Sequence, residues 1–131
     1  MTSVEHQVVF SVSDEKYCVA KLPPNTPLPC LEQGSSFFSV TRTEEELSLV
    51  CAESLAPAGA EIERNWRSIK VQGPFQFSLK GVLLSLLSPL SEANVAVFAV
   101  STYDTDYLFV KQRDLACAIQ ALEEAGHRLT A

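Results

Sequence analysis

One phrase occurs twice in this chain. Residues 37–51 read FFSVTRTEEELSLVC and residues 97–111 read VFAVSTYDTDYLFVK. They align without a gap: Phe38 falls on Phe98, Val40 on Val100, Thr41 on Ser101, Glu44 on Asp104 and Glu46 on Asp106. Each copy is an apolar run, a short acidic turn and a second apolar run, which predicts a β-hairpin. A hairpin alone buries too little to be stable, so a doubled hairpin predicts two copies of one small unit packed together, with the seam between them as the place for a ligand. It also predicts like surroundings for Phe38 and Phe98.

The second half carries the clearer pattern. Residues 64–72 (RNWRSIKVQ) predict a strand, with Trp66, Ser68 and Lys70 alternating against Arg67, Ile69 and Val71. A helix is expected from about residue 78 to residue 93, because Leu79, Val82, Leu83, Leu86 and Leu90 make one apolar stripe. Pro89 should loosen its last turn, and Asn94 suits a left-handed stop. Residues 95–101 and 106–111 predict strands. Asp114 is placed to cap a second helix that buries Leu115, Ala118, Ile119, Leu122 and Ala125 and stops at Gly126, and HRLT predicts a short closing strand. The order is β-α-β-β-α-β, the ferredoxin-like arrangement.

The first half reads as a worn copy. KYCVAKL predicts a strand, and HQVVFSV before it an extra or edge strand. The proline-rich segment after it leaves room for one helical turn near residues 30–33. Strands are expected at residues 36–41 and 46–52. The second helix is missing, and residues 54–60 (SLAPAGA) are read as the joint. The expected class is α+β, with two ferredoxin-like modules side by side, a degenerate one over residues 1–60 and a full one over residues 61–131. Residues 96–100 and 107–110 are apolar on both faces, so a partner module or a second copy of the chain is expected to cover the face that helices leave open.

Composition excludes some partners. The net charge is -6 with only 10 Lys and Arg, which argues against nucleic acid, because phosphate binding needs a basic surface. MTSVEHQVVF has no basic stretch followed by a long apolar run, and VLLSLLSPL is too short to span a bilayer, so neither a secretory signal nor a membrane span is expected. Cys18, Cys30, Cys51 and Cys117 form no CxxC pair and have no histidine at zinc-ligand spacing, so they are expected as buried, reduced residues of a cytoplasmic protein. Cys117 is read as core filler on the second helix. No metal or cofactor site is expected.

Catalytic motifs are missing too: the sequence has no GxxxxGK[ST], GxGxxG or HExxH, and His6 and His127 lie near opposite ends. Two segments could hold a ligand. Gly73, Pro74, Phe75, Gln76, Phe77 and Ser78 lead from a strand into a helix N-terminus, where orphan N–H groups favour a carboxylate. The same segment also reads as an ordinary turn whose phenylalanines staple into the core, and local chemistry alone favours that reading. Thr102, Tyr103, Asp104, Thr105 and Asp106 gather hydroxyls and two carboxylates, which could hold an ammonium or guanidinium. That segment also reads as a solvated hairpin tip. Asp104 and Asp106 could in principle act as an acid–base pair, but nothing else in the sequence supports a reaction.

FSLKGVLLSLLSPLSEANVAVFAVSTYDTDYLFVK, followed by DLACAIQALEEAGH, resembles the second module of small bacterial tandem ACT-domain proteins and the ACT modules of the CASTOR-type arginine sensors. FFSVTRTEEELSLVC resembles the matching hairpin of their first module. The likeness runs roughly over residues 16–127. It implies a non-catalytic sensor in which a free amino acid sits between modules. Its α-carboxylate and α-amino group would meet the backbone of residues 73–78, and its side chain the hairpin residues 102–106 of a neighbouring module. Asp106 matches the position that faces a cationic side chain in the arginine sensors. A chain with two modules would complete such an interface as a homodimer and signal to a regulated partner protein. The alternative is a ligand-free dimerisation module.

Overall fold

A computed structural model describes residues 7–30, 36–72 and 81–130 of the chain. Within these, the elements run β1 (Val9–Leu22), β2 (Ser39–Arg42), β3 (Leu47–Ala52), β4 (Glu61–Val71), α1 (Val82–Glu92), β5 (Val97–Ser101), β6 (Asp106–Lys111), α2 (Leu115–Glu124) and β7 (Arg128–Leu129). Two compact units divide them. The larger holds the described residues of Met1–Asp14 and Arg67–Ala131, the smaller those of Glu15–Trp66. β1 and β4 therefore each contribute residues to both units. The boundary expected between residues 60 and 61 follows chain order, whereas contacts group residues 61–66 with the smaller unit and the start of β1 with the larger. Residues 54–60, expected as a joint, connect β3 to β4 inside the smaller unit and open with a 3-10 turn, Glu53–Leu55.

In the larger unit, β1, β4, β6 and β5 are neighbours in that order, and β7 runs parallel to β1 with Val9 opposite Arg128. The backbone explains how β1 serves two neighbours: its Val9 carbonyl accepts from Gln72 N–H (2.8 Å), while the Val8 and Phe10 carbonyls accept from Arg128 and Thr130 (2.9 and 2.8 Å). Successive carbonyls of a strand point to opposite edges. The expected β-α-β-β-α-β order over residues 61–129 is present. On the helix side Phe10, Ile69, Val71, Leu108 and Val110 pack with Leu86, Leu90 and Leu122. Each such side chain contributes about 1.5–3 kcal/mol by leaving water.

Both helices end in the same way. Asn94 (φ 62) and Gly126 (φ 101) take the left-handed conformation. Val95 N–H then bonds Leu90 O and Asn94 N–H bonds Ser91 O (both 3.0 Å), while His127 N–H bonds Leu122 O and Gly126 N–H bonds Glu123 O (both 3.0 Å). These paired bonds are Schellman motifs, and they satisfy the last carbonyls of each helix. The first expected turn of α1, including Leu79, lies outside the described residues. Its N-cap is Gly81, with φ 79.

Pro89 lies inside α1. Lacking an N–H, it cannot serve the carbonyl four residues back, that of Ser85. His127 takes that carbonyl: its Nε2 donates to Ser85 O at 2.9 Å, while Nδ1 accepts from Val8 N–H at 3.2 Å. A ring that accepts at Nδ1 and donates at Nε2 is the neutral Nε2–H tautomer. The ring is buried.

In the smaller unit the order is β2-β3-β1-β4. β1 and β3 pair antiparallel, Cys18 opposite Cys51, and β2 pairs β3 with Arg42 opposite Leu47. Ala20, Leu22, Leu47 and Leu49 form one small core with Val40, Ala60 and Ile62 packed on it, and Cys18 and Cys51 a second. Tyr17 is buried, stacks edge-on against Phe37, and shares a 2.6 Å hydrogen bond with Ser36. Arg42 donates to the carbonyls of Pro24 and Thr26, fixing the proline-rich loop. The helical turn expected near residues 30–33 falls at residues 31–33 outside the described residues.

Four expectations are corrected. The end of HQVVFSV, from Val9 on, and KYCVAKL belong to one strand, β1, because the strand continues without a break through Ser13, Asp14 and Glu15 between them. Cys117 is exposed, not core filler, since the buried positions of α2 are Ala118 and Leu122; Cys30 is exposed too. Asp114 occupies the N-cap of α2 but makes no capping bond, because a 3-10 turn at Gln112–Asp114 leads in and sets its backbone to φ -101, ψ 0.

The fourth concerns the repeat. In the second hairpin Ser101 pairs with Asp106 and Val100 with Tyr107; in the first Arg42 pairs with Leu47 and Thr41 with Ser48. Thr102 N–H bonds Thr105 O (2.7 Å) as Thr43 N–H bonds Glu46 O (2.9 Å). Thr43 thus occupies the place of Thr102, one residue off the gapless alignment. A slip of one residue moves every side chain to the opposite face. Phe38 lies just before β2 and is 45% exposed, whereas Phe98 lies within β5 and stacks on Phe109 at 4.8 Å. Their surroundings differ.

Replacing His127 with Phe strands the Ser85 carbonyl and the Val8 N–H, at an expected cost of about 2–4 kcal/mol in urea unfolding. In a Pro89→Ala background the new N–H at residue 89 serves Ser85, so the same replacement should cost measurably less in a double-mutant cycle.

Candidate functional site

The turn that connects β5 to β6 is built around Thr102. Its Oγ1 accepts from Thr105 N–H (3.2 Å) and donates to Thr105 O (3.1 Å), closing a tight connection with one side chain. Thr105 is buried, and its hydroxyl donates to the carbonyl of Val71 at 2.5 Å. That bond holds the turn against the last residue of β4, two residues before Gly73.

Asp106 is half-buried at the first position of β6 and accepts a 2.5 Å hydrogen bond from Ser101 Oγ at Oδ1. Alternation puts Asp106 on the same face as Leu108 and Val110, the face that the helices cover, so the carboxylate sits at the rim of the apolar core. Oδ2 keeps its acceptor capacity. Among the described residues no lysine or arginine pairs with Asp106. A half-buried carboxylate with one oxygen fixed suits a charge-assisted bond to an ammonium or guanidinium. Tyr103 is 86% exposed at the tip, with Asp104 exposed beside it.

The five candidates of residues 102–106 are thus together, but they divide. Thr102 and Thr105 are used within the fold, Asp106 faces the rim, and Tyr103 and Asp104 face solvent. The other candidates, Gly73, Pro74, Phe75, Gln76, Phe77 and Ser78, lie outside the described residues. The first hairpin offers no copy of this arrangement. Arg42 and Leu47 stand where Ser101 and Asp106 stand, and Glu46, which the sequence aligned with Asp106, falls in the turn. Among the described residues no group of three or more His, Cys, Asp or Glu could hold a metal, and no helix is long and apolar enough to cross a membrane.

The ACT-domain family model matches residues 61–124, and a second model, described as an N-terminal domain, matches residues 15–58. The chain is 36% identical to a protein of Agrobacterium tumefaciens known from its X-ray crystal structure, with a TM-score of 0.88 over 95% of this chain and 93% of that one. It is 30% identical over 107 residues, 74% of its length, to the cytosolic arginine sensor for mTORC1 subunit 1 of Mus musculus, of which the match covers 32%. The chain thus spans about a third of the length of the curated relatives it matches. The regulatory subunit of aspartate kinase from Thermus thermophilus shares the fold, with a TM-score of 0.65 at 10% identity. The chain belongs to the ACT-domain proteins, and its modules resemble those of the CASTOR-type sensors.

Thr105→Val keeps the shape of the side chain but leaves the Val71 carbonyl without its donor. It should cost about 1–3 kcal/mol in chemical denaturation, whereas Asp104→Asn, exposed at the tip, should stay within about 0.5 kcal/mol of the parent.

Proposed function

We propose that this protein is a non-catalytic regulatory sensor that binds a free amino acid at an interface between ACT modules or between two copies of the chain. The observation that carries this reading is Asp106: a half-buried carboxylate, held by Ser101 at one oxygen, beside a turn tied to the end of β4. Such a group recognises a cationic side chain, so the ligand is an amino acid with an ammonium or guanidinium end. Residues 102–106 supply the side-chain contacts, and residues 73–78 the backbone groups for the α-carboxylate and α-amino group. The name of one relative, an arginine sensor, supports a regulatory role.

The wider picture follows from that site. The protein acts in the cytoplasm, as a homodimer, and it passes its ligand state to a partner protein. The two modules are ferredoxin-like, the first degenerate, with no second helix among its described residues.

Isothermal titration of the full chain with each of the twenty amino acids tests this reading. A cationic amino acid should bind, and Asp106→Ala should weaken it by about 10- to 100-fold with an unchanged melting temperature. Ser101→Ala should weaken it less, since the carboxylate remains but loses its fixed orientation. No heat from any of them at millimolar concentration would leave the ligand-free dimerisation module as the reading.

A further inference from the structure

Within the smaller unit, Cys18 of β1 and Cys51 of β3 stand directly opposite each other, both fully buried. Their Sγ atoms are 3.8 Å apart and share a thiol hydrogen bond. Directly opposite residues of antiparallel strands bring their Cβ atoms to about 4.5–5.5 Å, close to the span of a disulfide. Closing the S–S bond needs rotation of two side chains and a slight approach of two strands already paired.

The surroundings offer an approach. Leu55, Ala56 and Ile62 pack over the pair. A cleft of about 420 Å3 lies at the residues that follow Cys51, lined by Glu15, Lys16, Ala52, Glu53, Ser54 and Arg64. Strand alternation places Lys16 on the same face of β1 as Cys18. Of the two acids that line the cleft beside the two bases, Glu15 accepts from Ser36 Oγ at 2.7 Å and Glu53 from Asn65 N–H at 2.6 Å. Asn65, next to Arg64, holds a left-handed φ of 72 within β4.

We infer that Cys18 and Cys51 are a reversible disulfide-forming site, oxidised by a small disulfide of the glutathione type that reaches them by this cleft. The thiolate of one cysteine attacks the small disulfide and releases one small thiol. The second cysteine attacks the resulting mixed disulfide and releases the other. Two protein thiols are oxidised, one small disulfide is reduced, and the two protons leave with the released thiols. Burial raises the Cys18 thiol, while its Cys51 hydrogen bond and the Arg64 charge act the other way; burial and the adjacent Cys18 push Cys51 up to about 12. The exchange is slow, because both thiols are buried and the thiolate is scarce and covered.

The test uses the full chain with the exposed Cys30 and Cys117 changed to serine, incubated natively with oxidised glutathione. The expected product has lost two hydrogens, yields a linked Cys18–Cys51 peptide on digestion, and melts roughly 5–15 °C higher, an increase that dithiothreitol reverses. Cys18→Ala should abolish the linkage. Thiols that stay free after a day, glutathione adducts without a cross-link, or a linked product that melts lower would each overturn the inference.

Discussion

A carbonyl that its own helix cannot serve organises the larger unit. Pro89 deprives Ser85 of its donor, and the imidazole of His127 supplies one from outside α1. The ring's other nitrogen takes the Val8 N–H, at the entrance to β1. Its position follows from the way α2 stops, because the Schellman motif at Gly126 makes His127 the first residue past the turn. One neutral ring thereby ties a helix interior, a helix end and a strand start. Each group it serves would otherwise be a poorly hydrated backbone dipole, whose desolvation costs more than an average hydrogen bond contributes.

Thr102 and Thr43 perform a comparable task in the hairpins. A hydroxyl that closes the turn decides which residues face each other across the strands, and with the pairing comes the face each side chain takes. The two hairpins share that device, but different residues stand on either side of it. Asp106 begins β6 opposite a serine that orients it, and Leu47 begins β3 opposite an arginine. The acidic position therefore belongs to one hairpin only.

The parts legible in the sequence are those where one period dominates. The leucine stripe of α1, the β5–β6 hairpin, and the stops at Asn94 and Gly126 each follow from local spacing and backbone preference. β1 is harder to read, because Asp14, Glu15 and Lys16 interrupt its apolar pattern while the strand continues through them. The repeat misled by one residue, since acidic turns of similar composition align equally well by eye, and only the threonine bonds reveal the frame. The turn at residues 102–106 stands out as a polar cluster, yet nothing in its letters says that Thr105 points inward. Its partner is the main-chain carbonyl of Val71, which no side-chain pattern records. The role of His127 leaves no mark in the sequence for the same reason, as both its partners are backbone atoms far away in the chain.

Arg42 shows what duplication can allow. It occupies the position that in the other hairpin orients an acid, yet its guanidinium grips the carbonyls of Pro24 and Thr26 in a loop with no regular hydrogen-bond ladder. One copy of the motif has become a fastener, leaving its sibling at liberty to face outward. A molecule seeking the fastened copy would have to pry open a loop on which the smaller unit relies.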